Sequence, residues 1–326
     1  MPSFIRRPSW YLPDSAATGE DVFFNRRDFL KAMGIGGMMA GGRSTPSFAQ
    51  ETAATSGLPL PEYARNPKFA HVGRALTEEY VGTTFNNFWE FAYTKAVVNI
   101  VKDFKLDPYT LTIDGLVEKP LTLGLEDIEK LGYEERVYRF RCVEAWSMTV
   151  PWLGVPLAKL VALAKPKSTA KYVAFKSFFD PKQAPNQSDG RYKWPYHEGL
   201  RIDEAMNELG FVATGAYGKR LLPQSGTPLR IVTPWKYGYK GPKSVVRMTF
   251  VDEQPSTFWS AAIPNEYPFY SNVDPQSPHP RWSQAEEKFI TDKANVADVE
   301  IVPTQWYNGY EEQVGHLYKN MPRKLY

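Results

Sequence analysis

Apolar and polar residues alternate with a period of two through several short stretches of this chain, and that alternation predicts β-strands. It runs through YTLTIDGLVEKPLTL at 109–123, ERVYRFRC at 135–142, AKYVAFKSF at 170–178, TPLRIVTP at 227–234 and KSVVRMTFVD at 243–252. A last strand is expected near DVEIVP, and the Asp114-Gly115 pair reads as a hairpin turn. Helical spacing is confined to short segments: LEDIEKL, PLAKLVALA and RIDEAMNEL at 201–209. Many strands with few, short helices predict an α+β fold, a β-rich single domain over residues 106–326.

Ahead of it, residues 50–105 read as an extended N-terminal segment, polar and proline-bearing over residues 50–80. They carry an aromatic cluster, TTFNNFWEF, at 83–91. Residues 1–49 have a different character. Asn25-Arg26-Arg27-Asp28-Phe29-Leu30-Lys31 precedes a short glycine-rich, weakly apolar run and a small-x-Ala site at Ser47-Phe48-Ala49. That order of charged region, apolar region and cleavage site resembles a twin-arginine signal peptide cut near Ala49, which implies export to the periplasm.

Composition narrows the field. The chain has 326 residues, 43% hydrophobic and 23% charged, and no apolar run long enough to span a bilayer. Its net charge is +3, and six Lys/Arg against four Asp/Glu in residues 1–49 leave the rest near +1. So balanced a body offers no general attraction for nucleic acid.

One cysteine occurs in the whole chain, Cys142, at the end of the strand ERVYRFRC. No intrachain disulfide is possible, and a free thiol in an oxidising compartment is a liability unless it is buried or ligated. Arg141 and Arg139 precede it, and a nearby cation favours thiolate. A thiolate serves as nucleophile or as soft metal ligand. The four histidines, His71, His197, His279 and His316, are scattered and sit in no acyl-transfer or zinc-site context. A single sulfur suits a metal whose other ligands come from an organic cofactor. No Cys-x-x-Cys-His haem motif and no iron–sulfur cysteine set is present, so electrons have to come from another protein.

The segment RCVEAWSM at 141–148, followed by VPWLGVPL, resembles the molybdenum-cysteine segment of the MsrP family, the periplasmic protein-methionine-sulfoxide reductases of the sulfite-oxidase-like molybdoenzyme superfamily. The resemblance extends over FNNFWEF at 85–91, KYVAF at 171–175, EGLRIDEAM at 198–206, PWKYGYKGPKS at 234–244, HPRWSQA at 279–285 and NGY at 308–310. It implies a sulfite-oxidase-like molybdopterin-binding fold, one molybdenum-molybdopterin cofactor per chain, and Cys142 as the protein ligand to the metal. It also implies cofactor contacts from Asn86, Trp89 and Glu90, from Ser177, Ser225 and Arg230, and from the Gly241-Pro242-Lys243 turn. Members of the family often carry Thr at the position of Ser177 and Asn at that of Ser225; serine keeps a hydrogen-bonding group at both. Arg230 and Lys243 supply cations for the cofactor's phosphate, and Gly241 allows close backbone approach. Glu144 either handles protons beside the metal or pairs with Arg141. The implied activity is reduction of protein-bound methionine sulfoxide by oxygen-atom transfer at an open, shallow site. A haem-bearing, MsrQ-like membrane subunit is the implied electron donor. A sulfite-oxidising or other small S- or N-oxide molybdoenzyme, and a metal-free periplasmic binding protein, are the other readings.

Overall fold

The computed structural model describes residues 59–95, 97–292, 299–319 and 321. The export-signal reading of residues 1–49 and the first part of the N-terminal segment lie outside them.

Within these residues the strands are β1 (Ala64–Arg65), β2 (Leu111–Gly115), β3 (Leu121–Leu123), β4 (Glu134–Arg141), β5 (Trp146–Pro156), β6 (Tyr172–Ser177), β7 (His197–Arg201), β8 (Phe211–Ala216), β9 (Lys219–Arg220), β10 (Arg230–Val232), β11 (Val245–Val251), β12 (Glu286–Phe289) and β13 (Glu300–Pro303). The α-helices are short: α1 (Glu79–Thr84), α2 (Leu125–Glu129), α3 (Leu157–Ala164), α4 (Ile202–Ala205), α5 (Phe258–Ala262) and α6 (Glu311–Val314). The strands form two sheets. One has β5 at its centre, antiparallel to β4 and β8 and parallel to β12. The other runs β3-β2-β11-β6-β7. This is the sheet-rich α+β architecture that the alternation predicts.

β5 is buried along nearly its whole length, as expected of a strand whose sequence, WSMTVPWLGVP, barely alternates. Its residues Trp146, Met148 and Trp152 join Tyr138, Phe211 and Trp235 in one core. A second core lies between the sheets, where Ile113, Phe175, Met248 and Phe250 meet Val155, Val212 and Ile231. α3 closes this core with Leu157, Leu160, Val161 and Ala164, one stripe at helical spacing. The helix stops where Lys165 turns left-handed (φ 47°) ahead of Pro166.

Packing corrects two sequence expectations and decides a point the sequence left open. Asp114-Gly115 is not the hairpin turn. β2 and β3 do pair, but Leu111 faces Leu123 and Ile113 faces Leu121, so the chain reverses beyond Gly115. Asp114 instead accepts hydrogen bonds from Arg247 and Thr249 on β11, and a Cβ at Gly115 would lie 2.2 Å from the Phe250 carbonyl oxygen. RIDEAMNEL shortens to the single turn α4, because Asn207 Oδ1 takes the Leu209 amide and ends the helix. Finally, the strands in TPLRIVTP and KSVVRMTFVD belong to different sheets: β10 pairs with β8, and β11 with β2 and β6. Residues 233–244 therefore cross from one sheet to the other. The Ile231 amide bonds the Pro242 carbonyl at 3.1 Å and the Val245 amide bonds the Leu229 carbonyl at 3.1 Å, which pins both ends of the crossing together. That crossing builds half of the site.

The β5–β8 ladder slips register between Leu153 and Gly154, and a Cβ at Gly154 would lie 2.0 Å from the Val212 carbonyl oxygen. Gly154→Ala is expected to cost about 1–3 kcal/mol through forced backbone displacement, read as a lower urea midpoint at unchanged m-value.

Candidate cofactor site around Cys142

Cys142 follows β4 directly, and its amide bonds the Trp146 carbonyl at 2.9 Å, closing a tight loop to β5. Ala145 holds that loop in the left-handed region at φ 62°, a conformation costing roughly 1–2 kcal/mol for a residue with a Cβ. The surroundings hold it there. The Lys288 amide bonds the Ala145 carbonyl at 2.9 Å, and Trp282 Nε1 and Gln284 Nε2 bond the Val143 carbonyl at 2.8 and 2.7 Å. Beneath the loop Arg141, fully buried, pairs with Glu287 at 2.9 Å, bonds Gln284 at 2.8 Å and donates to the Cys142 carbonyl. Arg139 donates to the Val72 carbonyl and to Gln305. Neither arginine is therefore spent on the sulfur or on Glu144, which corrects the sequence expectation for both.

The cation that faces the sulfur is Lys95. Glu144 Oε2 sits 3.4 Å from Cys142 Sγ and accepts from Lys95 Nζ at 2.5 Å, Asn87 Nδ2 at 3.0 Å and Trp146 Nε1 at 3.1 Å. Burial alone would raise the Glu144 pKa, but the Lys95 charge and these donors hold it below the ordinary carboxylate value. Burial and then the Glu144 charge push the Cys142 thiol up, opposed by Lys95. In the protein alone this sulfur keeps its proton, and a bound metal would displace it. Cys142 is only 7% exposed, so the sulfur lies beneath the surface and not at an open, shallow one; the Glu144 side chain, 28% exposed, reaches solvent.

A second cluster adjoins this one through the Asn86-Asn87 pair. Lys243 Nζ donates to Asn86 Oδ1, to the Asn87 carbonyl and to the Gln224 carbonyl, each at 2.6 Å. Burial pushes its pKa well below the usual lysine range, Arg230 adds to the effect and Glu90 opposes it. Arg230, 4% exposed, donates to the Ser225 carbonyl at 3.2 Å and lies over the Trp152 ring at 4.9 Å; its Nε has no partner. Burial lowers its pKa to about 10. No carboxylate hydrogen-bonds either cation among the described residues. The carboxyl group whose charge acts on Lys243 is Glu90, buried and itself pushed up to about 7 by burial. Two desolvated cations without a counter-anion are costly in an empty protein and favourable once an anion joins them.

The remaining sequence-predicted residues frame this cluster. Ser177 Oγ donates to the Lys243 carbonyl at 2.7 Å. Gly241 is packed so that a Cβ would lie 2.5 Å from the Ile231 carbonyl and 3.6 Å from Arg230 Nη2, while its amide is taken by the Gly238 carbonyl and is not offered to a ligand. Pro242 bonds Ile231 as described above. Trp89 turns toward Tyr93 and Trp259, with ring centroids at 4.3 and 5.2 Å. Sequence reasoning missed Asn87, Lys95, Trp146 and Gln224. Asn87 and Trp146 lie inside the quoted segments; Lys95 and Gln224 carry no local signal. His71, His197, His279 and His316 take no part, and no metal-holding group of three or more His, Cys, Asp or Glu occurs among the described residues.

A lone sulfur beside buried, unneutralised cations defines a binder of an anionic, metal-bearing organic cofactor. The family comparison agrees: residues 98–259 match the family of the oxidoreductase molybdopterin binding domain. That stretch is a molybdopterin-binding oxidoreductase domain, and molybdopterin is its cofactor. The crystal structure of the sulfane dehydrogenase SoxCD from Paracoccus pantotrophus is similar over 46% of this chain and 40% of that one, with 22% identity and a TM-score of 0.39. The residues present fit the cofactor. Arg230, whose Nε lacks a partner, and Lys243 would hold its phosphate, Asn86, Ser177 and Ser225 would meet its polar edges, and Cys142 would ligate molybdenum.

Proposed function

We propose that this protein is a periplasmic reductase of protein-bound methionine sulfoxide, exported by the twin-arginine route and supplied with electrons by a haem-bearing, MsrQ-like membrane subunit. The bound molybdenum cofactor supplies two-electron oxygen-atom transfer.

One observation carries the choice of substrate. A sulfite oxidase has to gather a dianion and calls for arginines converging on the metal. Beside Cys142 the facing cation is Lys95, and it is neutralised by Glu144 at 2.5 Å, while Arg141 is paired with Glu287. A neutral sulfoxide suits such a pocket better than a dianion. The chain's own groups then have simple tasks. Cys142 holds the metal, and Asn87 and Trp146 aim Glu144 Oε2 beside it. Reduction of a sulfoxide consumes two protons as water forms, and Glu144, with its edge in solvent, relays them.

The test is a pair of dye-linked assays on molybdenum-loaded protein. Oxidation of a reduced dye by a peptide containing methionine sulfoxide should far outpace reduction of an oxidised dye by sulfite; the opposite ranking overturns the assignment. For export, replacing Arg26 and Arg27 by Lys should leave the precursor in the cytoplasm, as read by fractionation, and undiminished periplasmic protein would refute the targeting.

A further inference from the structure

Lys95 lies outside the matched stretch 98–259, and its side chain is only 14% exposed. Its ammonium is 2.5 Å from Glu144 Oε2 and 2.5 Å from Asn87 Oδ1, and it lies 5.9 Å from the Trp146 ring centroid and 6.0 Å from that of Phe85. Asn87 completes the arrangement, turning its oxygen to Lys95 and its nitrogen to Glu144 at 3.0 Å and to Cys142 Sγ at 3.9 Å. Lys95, Asn87 and Trp146 thus all converge on one oxygen, Glu144 Oε2.

The protonated thiol donates to Glu144 at 3.4 Å, and ligation to a metal would remove that proton and with it this hydrogen bond. The metal would offset the charge on sulfur, but the Glu144 carboxylate is held at that sulfur by its other partners, of which Lys95 at 2.5 Å is the one that carries a charge. We propose that Lys95 is a positioning residue, the fixed cation that holds Glu144 against the metal-ligating sulfur and sets the charge felt by the metal. This rests on Cys142 being the molybdenum ligand.

The full, molybdenum-loaded chain provides the test, with the midpoint potential of the couple that gives the paramagnetic Mo(V) signal as readout. Lys95→Met adds one net negative charge beside the metal and should shift the midpoint to more negative potential, with kcat lowered and KM unchanged. Lys95→Arg should keep the parental midpoint, and the double variant Lys95→Met/Glu144→Gln should return to it, since its net charge equals that of the parent. The double variant also serves where Lys95→Met fails to load metal: a parental midpoint there supports the proposal and a shifted one overturns it. A parental midpoint in loaded Lys95→Met overturns it as well, because a lysine that merely fills space leaves the potential alone. Cys142→Ser separates the two ideas. If its Mo(V) signal matches the parent's, the ligation reading fails; if that signal changes while Lys95→Met leaves the midpoint unmoved, only the lysine proposal fails.

Discussion

Cys142→Ser is expected to abolish the proposed sulfoxide reduction, to the background of the dye assay, and to leave the protein folded. The substitution replaces a soft sulfur by a hard oxygen that stays protonated near neutral pH, so molybdenum would lose the protein ligand proposed for it. The fold survives because the volume changes little and the new hydroxyl has a partner in place: Glu144 Oε2 lies 3.4 Å from the present sulfur. A buried hydroxyl with an acceptor escapes most of the roughly 1–3 kcal/mol that an unsatisfied one costs. The loop around it is also secured independently, by the Cys142–Trp146 backbone bond at 2.9 Å and the contacts from Trp282, Gln284 and Lys288. Circular dichroism and a thermal melt check the fold, and the assay checks the chemistry. Parental turnover in the serine variant would falsify the ligand assignment.

Arg230→Met and Lys243→Met separate stability from cofactor retention in opposite directions. In cofactor-free protein each removes a desolvated cation that no carboxylate pairs, so the melting temperature should hold or rise. With cofactor the same change deletes a charge-assisted contact to phosphate worth about 1.5–3 kcal/mol, or about ten- to a hundredfold in affinity. Elemental analysis after gel filtration should therefore find molybdenum well below one per chain in both variants, while calorimetry on the empty Arg230→Met protein finds no loss. A lower melting temperature with full molybdenum content would assign these residues to the fold alone. Lys243 gives up more backbone contacts than Arg230, since its Nζ ties the Asn87 and Gln224 carbonyls together, so Arg230→Met is the cleaner of the two.

Much of the fold was legible before the structure. The stretches read as strands at 170–178, 227–234 and 243–252 contain β6, β10 and β11, and the one at 135–142 covers all of β4 but its first residue. The stripe of α3 and the position of Cys142 at a strand end were equally plain. The errors share one cause. Asp114-Gly115 has the composition of a turn, yet Asp114 is engaged across the sheet by Arg247 and Thr249, and long-range pairing outweighs local turn preference. Arg141 stands next to the cysteine, yet adjacent residues on a strand point to opposite faces, and its guanidinium is buried against Glu287.

The pattern of the chain was enough to specify the class of fold, the strand that ends at Cys142 and the solitary sulfur that marks the site, because period-two alternation and residue identity are local properties. Folding in three dimensions settled which charges meet. Lys95 reaches Glu144 across 49 residues and Lys243 reaches Asn86 across 157, and an ion pair or a shared carbonyl between distant residues leaves no trace in the periodicity of either segment. Burial works the same way: the family resemblance names Arg230 as a cation for a phosphate, but only packing shows it buried, with Nε unpartnered and Gly241 of the crossing held against its guanidinium.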